Sequence, residues 1–147
     1  MVIIGTGVAA MLQLLAAGTM SNSAATELTT AVNLANNVHE ISLALPFTCA
    51  ANPTSTTFKD SGGPANYTYV WDMNGDTYSP PLDIRRNTIS GYSSWSQKVT
   101  IQSVDPQNLD AARPNSVSLP TARLTVQILH GTKTVYKGSW LITAPNT

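Results

Sequence analysis

MSNSAATELTTAVNLANNVHEISLALP, residues 20–46, is the stretch whose reading decides the fold. Apolar side chains recur there at Met20, Ala24, Leu28, Val32, Ala35, Val38, Ile41 and Leu45, always three or four residues apart. That spacing keeps them on one side of an α-helix. Ser21, Asn22, Thr26, Glu27, Thr30, Asn33, Asn37 and Glu40 fall between them and make the other side polar. No proline interrupts before Pro46, whose ring cannot continue a helix. The pattern predicts an amphipathic helix that ends near Leu45. Its stripe of Leu28, Val32, Ala35, Val38, Ile41 and Leu45 is expected to cover a second layer of structure.

The residues in front of this helix are of a different kind. Residues 1–18, MVIIGTGVAAMLQLLAAG, carry no charge, and Thr6 and Gln13 are their only polar side chains. As a helix they span about 27 Å, just under the ~30 Å of a hydrocarbon core. With no proline between the two halves, one helix of about 45 residues, roughly 67 Å long, is expected. Its front half suits lipid or other copies of itself. Its back half suits a globular partner layer.

A greasy run followed by a polar amphipathic helix resembles the N-terminal stem of type IV pilins and type II secretion pseudopilins. The minor pilins are the most similar, with the same aliphatic run, small residues and LQ…AAG ending. The resemblance covers residues 1–46. It implies a bacterial structural subunit, not an enzyme, held in the inner membrane before assembly and then part of a periplasmic or extracellular filament. Its partners would be copies of itself or related pilins. The assembly and membrane residues would be Val2, Ile3, Ile4, Gly5, Gly7, Val8, Ala10, Met11, Leu12, Leu14 and Leu15. The family's basic leader, processing glycine, phenylalanine and glutamate do not precede Met1. Met1-Val2-Ile3-Ile4 reads as mid-helix sequence without an N-cap, so a start upstream of Met1 is expected.

Composition narrows the class of function. The 147 residues are 42% apolar but only 11% charged, against about 25% in average soluble domains. Ser, Thr and Asn, at 14, 19 and 11, fill the gap, as suits a folded protein working outside the cytoplasm. Formal net charge is zero, which leaves no electrostatic footprint for nucleic acid. The charges are segregated: residues 1–58 hold only Glu27 and Glu40, and every Lys and Arg lies beyond them. A single cysteine, Cys49, excludes an internal disulfide and a multi-Cys zinc site.

Residues 47–147 read as a second domain. Residues 47–66, rich in Thr, Ser, Gly and Pro, are expected to be a connecting loop. The period then becomes two. Tyr67–Trp71 is β-prone, and Val99 and Ile101 alternate with Lys98, Thr100 and Gln102. Ala122, Leu124, Val126 and Ile128 alternate with Arg123, Thr125 and Gln127. A turn at His130–Lys133 leads to a run in which Tyr136, Trp140 and Ile142 share one parity, so the last two runs should form a hairpin. The expected fold is α+β: a long helix on an antiparallel sheet of three to five strands, one face of which is wet. An antiparallel sheet across a stem is also similar to the pilin plan. So is the segment Asp72-Met73-Asn74-Gly75 followed by Ser79-Pro80-Pro81-Leu82-Asp83, and the strand ending in Val104-Asp105-Pro106.

Few residues suggest chemistry. Asp72, Asn74 and Asp76 alternate as the first oxygen ligands of a calcium loop do, but Gly75 is misplaced for an EF-hand and no closing glutamate follows. An Asn-Gly turn is the plainer reading. His39 and His130 lack a nucleophile elbow or a metal-spaced partner. No glycine-rich loop follows a strand, and no cofactor is expected. Trp71, Trp95 and Trp140 read as core, although a sugar-stacking surface would use the same residues. The second reading of function follows from them: a membrane-tethered extracytoplasmic binding module presenting Trp71, Trp95 or Tyr92 to a ligand.

Overall fold

The computed structural model describes residues 3–48, 62–115 and 119–144, with side chains from Met11 onward. One helix, α1 (Ile3–Ala44), precedes five strands: β1 (Thr77–Tyr78), β2 (Trp95–Asp105), β3 (Asn108–Ala112), β4 (Thr121–His130) and β5 (Lys133–Thr143). The protein is α+β. Two compact units emerge, Met1–Thr30 and Ala31–Thr147, so α1 contributes its last fourteen residues to the unit that holds the sheet.

All strand pairings are antiparallel, in the order β1-β2-β4-β5, with β3 pairing the far end of β2. Nine residues of β2, Trp95–Ser103, face β4 in continuous register. The predicted hairpin is present: Gly131 and Thr132 join β4 to β5, and Gly131 takes the φ of 60° that a two-residue turn requires. Along β4 the parity argument holds to the residue, with Ala122, Leu124, Val126 and Ile128 at 0% exposure. Tyr136 and Trp140 reach the same face from β5 across Gly138. A Cβ at Gly138 would lie 2.8 Å from the Trp140 ring and 2.9 Å from that of Tyr136, so only glycine lets the two aromatics close over the strand.

The back half of α1 packs on this face, but through a stripe rotated from the predicted one. Ala31, Leu34, Ala35, Val38, Ile41 and Ser42 are buried, and Leu45 packs against them. Ala35, Val38, Ile41 and Leu45 lie in the core as the periodicity predicts. Leu28 and Val32 depart from it: Leu28 is 47% exposed and belongs to the first unit, and Val32 is only half-buried. At about 100° per residue, steps of four drift by some 40° each. The steps of four from Met20 through Ala24 and Leu28 therefore carry the run away, leaving Val32 about 120° from Val38, and the step of three to Ala35 brings it back onto the buried face. Residues 31, 34, 35, 38, 41, 42 and 45 follow the i, i+3, i+4, i+7 rule without drift.

A second expectation fails at Tyr67–Trp71. The chain there forms 3₁₀ turns, Pro64–Asn66 and Val70–Met73, instead of a strand. The Asp72 carboxylate accepts the backbone N–H groups of Thr68 at 2.9 Å and Tyr69 at 3.2 Å, which curls the segment on itself. Pro46 O takes the N–H of Val70 at 2.9 Å and ties the turn to the end of α1. Tyr69, Val70, Trp71 and Met73 are all at most 1% exposed, so the segment has no wet face for a strand to present. Trp71 meets Phe47 edge to face at 5.8 Å.

Polar bonds fix how α1 meets the sheet. Gln97 has 0% exposure and shares the parity of Val99 and Ile101. Its Nε2 donates to Leu34 O on α1 at 2.8 Å and to Leu82 O at 3.1 Å, while its Oε1 accepts the Leu82 N–H at 2.7 Å. Asn37 of α1 donates to Leu82 O as well, at 3.3 Å. Helix, strand and the Leu82 loop are thus joined at one buried amide.

A chain of phenols runs beside this joint, Tyr78 of β1 being the register partner of Gln97. Tyr78 donates to the Tyr67 hydroxyl at 3.3 Å, and Tyr67 donates in turn to Asp76 Oδ2. Burial pushes both phenols well above the ordinary tyrosine range, the Asp76 carboxylate adding to it at Tyr67 and the Tyr67 hydroxyl at Tyr78. The fold holds these two protons, while the unfolded chain releases them near pH 10. Their contribution is therefore complete below about pH 10 and declines as pH rises past it. In an alkaline titration, tyrosinate absorbance from Tyr67 and Tyr78 is expected to appear only with loss of the far-UV signal. Ionisation of all five tyrosines in a fold still intact by circular dichroism would contradict this.

Candidate assembly surface

The oxygens of the Asp72-Asn74-Asp76 run serve the fold. Asp72 caps the 3₁₀ turn, Asn74 Oδ1 accepts the Ile101 N–H at 2.8 Å, and Asp76 receives the Tyr67 hydroxyl. Gly75, at φ 81°, makes the turn between them. Among the described residues no group of three or more His, Cys, Asp or Glu is placed to hold a metal ion. The histidines pack flat on tryptophans: His39 on Trp140 at 4.7 Å and His130 on Trp95 at 4.4 Å. Trp71 at 1% and Trp95 at 9% exposure are core residues and offer no face to a sugar.

The feature that the core does not absorb lies on the first unit. Met11, Leu12, Leu14, Leu15 and Met20 are between 61% and 77% exposed on consecutive turns of α1. Apolar side chains at this density, on several sides of one helix, exceed the scattered exposure normal for a monomer. Gly18 leaves a notch bordered by Leu14, Leu15, Thr19 and Asn22, and nothing lies within 4 Å of where its Cβ would stand. Large apolar side chains beside a small-residue notch are what close helix–helix contacts use. Thr19, Thr26 and Thr29 turn their hydroxyls back onto carbonyls of the preceding turn, at 2.8–3.0 Å, so their polarity is met inside the helix.

Of the assembly residues read from the sequence, Met11, Leu12, Leu14 and Leu15 are therefore exposed on this surface. Ile3, Ile4, Gly5, Gly7, Val8 and Ala10 lie on the same helix backbone, but their side chains are outside the described residues, and Val2 is outside them altogether. Among the described residues no helix is long and apolar enough to cross a membrane. Sequence reading overlooked Ala31, Leu34, Ser42 and Gln97. The undrifted helix register would have found the first three, and the β2 parity the last.

Comparison with known proteins finds no match to a family, a curated protein or a solved structure.

Proposed function

We propose that this chain is a structural subunit of a type IV pilus-like filament or type II secretion pseudopilus, assembled through its N-terminal helix. The observation that carries the reading is the exposed apolar surface of Met11, Leu12, Leu14, Leu15 and Met20 on a helix that continues into the sheet domain. Water is a poor solvent for that surface, and the stems of other copies bury it. Residues 1–18 would hold the subunit in the inner membrane until extraction, and stems would then pack in the filament core with sheet domains outside. Gly5, Gly7, Ala9, Ala10, Ala16, Ala17 and Gly18 supply the small positions that let helix backbones approach. The test is the yield of sheared extracellular filaments from cells expressing Gly7→Leu or Ala10→Leu.

A further inference from the structure

Charge is divided between the two outer surfaces of the unit that holds the sheet. Strands β4 and β5, and β2 before Asp105, contain no carboxylate. Lys98 of β2 and Lys137 of β5 lie in one row of the wet face, each the register partner of Gln127 on the strand between them. Two strand spacings set the lysines about 9.5 Å apart. Both are exposed, and among the described residues neither forms an ion pair. Arg123, on the same face, meets Asp110 at 3.7 Å. The neighbouring row is uncharged, with Thr125 and Ser139 joined by a hydrogen bond of 3.0 Å.

The opposite surface is the outward side of α1. Asn33, Asn36, Glu40 and Leu43 are exposed there, about 140–160° around the helix from Val38 in the core. Apart from Glu27 in the first unit, Glu40 is the one Asp, Glu, Lys or Arg of α1. It too forms no ion pair among the described residues. An acid therefore stands on one side of the unit and two bases on the other. The unit's own helix and sheet lie between them, so they cannot meet within one chain.

From this complementarity we infer that α1 of a second copy docks on the wet face of the sheet, its Glu40 seated between Lys98 and Lys137 over Gln127. The inference rests on the filament reading and supplies a contact for it. The two surfaces are different patches, so the contact is heterologous and repeats from copy to copy. It needs no two-fold axis, and neighbouring α1 helices run in the same direction, as stems packed side by side require. Glu40 follows His39, whose ring stacks on Trp140, three residues along β5 from Lys137. Successive copies are thus offset by about 10 Å along the strands.

The test mixes two separately purified, differently tagged full-length chains in mild detergent, both with Cys49→Ser. One carries Asn36→Cys, a turn from Glu40 on the same side of α1, and the other carries Gln127→Cys. A short bismaleimide is expected to couple the mixture into mixed dimer. Asn36→Cys alone gives little, because the two patches differ. Adding Glu40→Lys to the Asn36→Cys chain lowers the coupling by about tenfold. Adding Lys98→Glu and Lys137→Glu to the Gln127→Cys chain then restores it. All three charges are exposed, so the melting curves of the variants match their parents. Mixed coupling no greater than that of Asn36→Cys alone, coupling indifferent to Glu40→Lys, or a loss that the reversed lysines do not restore overturns the inference. The result is separable from stem assembly: sheared filaments from a chain that fails to couple overturn this docking and leave the proposed function standing.

Discussion

A chain shortened to residues 47–147 is expected to lose its cooperative thermal transition, while residues 31–147 melt close to the full-length protein. The sheet's inner face is closed by Leu34, Val38 and Ile41 of α1, all at most 4% exposed. Burying each such side chain contributes ~1.5–3 kcal/mol, so removing the three withdraws about 5–9 kcal/mol. Domain stabilities are only ~5–15 kcal/mol in total. The same cut removes Leu34 O from Gln97 and bares Ala122, Leu124, Val126 and Ile128 to water. Residues 11–26, by contrast, are exposed along the helix, and their loss withdraws little buried area. Circular dichroism melts of the two shortened chains decide the point. A sigmoidal transition in 47–147 at the temperature of 31–147 would show that the helix is not part of the core.

Gln97→Leu is expected to destabilise the full chain by on the order of 3 kcal/mol, although it places an apolar residue in an apolar core. Leucine fills the volume but leaves the Leu82 N–H without its acceptor in a site with no water access. A buried polar group so stranded costs ~1–3 kcal/mol, and the bond that ties α1 to β2 is lost as well. The matched control is Thr100→Leu on the wet face of the same strand, where substitutions usually stay within ~0.5 kcal/mol. Urea unfolding of both variants measures the difference. Equal midpoints would mean that Gln97 packs only as volume.

How much of this was legible in the sequence follows from what each pattern encodes. The β4 strand and the β4–β5 hairpin are local: alternation from Ala122 to Ile128 and a Gly turn suffice to specify them. The helix and its end at Pro46 are local too. The face α1 buries was harder, because steps of four through Leu28 and Val32 imitate a stripe while drifting around the helix. Tyr67–Trp71 was read from side-chain preference alone, and the carboxylate that curls it sits at Asp72, just past the β-prone run. Gln97 required seeing that a polar residue at a buried parity is a joint and not an interruption. In the assembly surface, the apolar character of Met11–Leu15 was plain from the sequence. That it stays uncovered depends on where the sheet domain's own core stops, at Ala31, and no window of sequence contains that boundary.

The central claim is that the front of α1 is built for packing against other stems and not merely for greasiness. Gly7→Leu and Ala10→Leu separate the two, because both raise hydrophobicity and a simple anchor inserts at least as well with them. Close stem packing is instead forced apart, at a cost of ~1–3 kcal/mol per site that recurs with every subunit in the array. The measurement is the ratio of membrane-bound protein to sheared extracellular filament protein in cells expressing each variant. The account predicts undiminished membrane protein with filaments lost. Filaments at the wild-type level in both variants would contradict it.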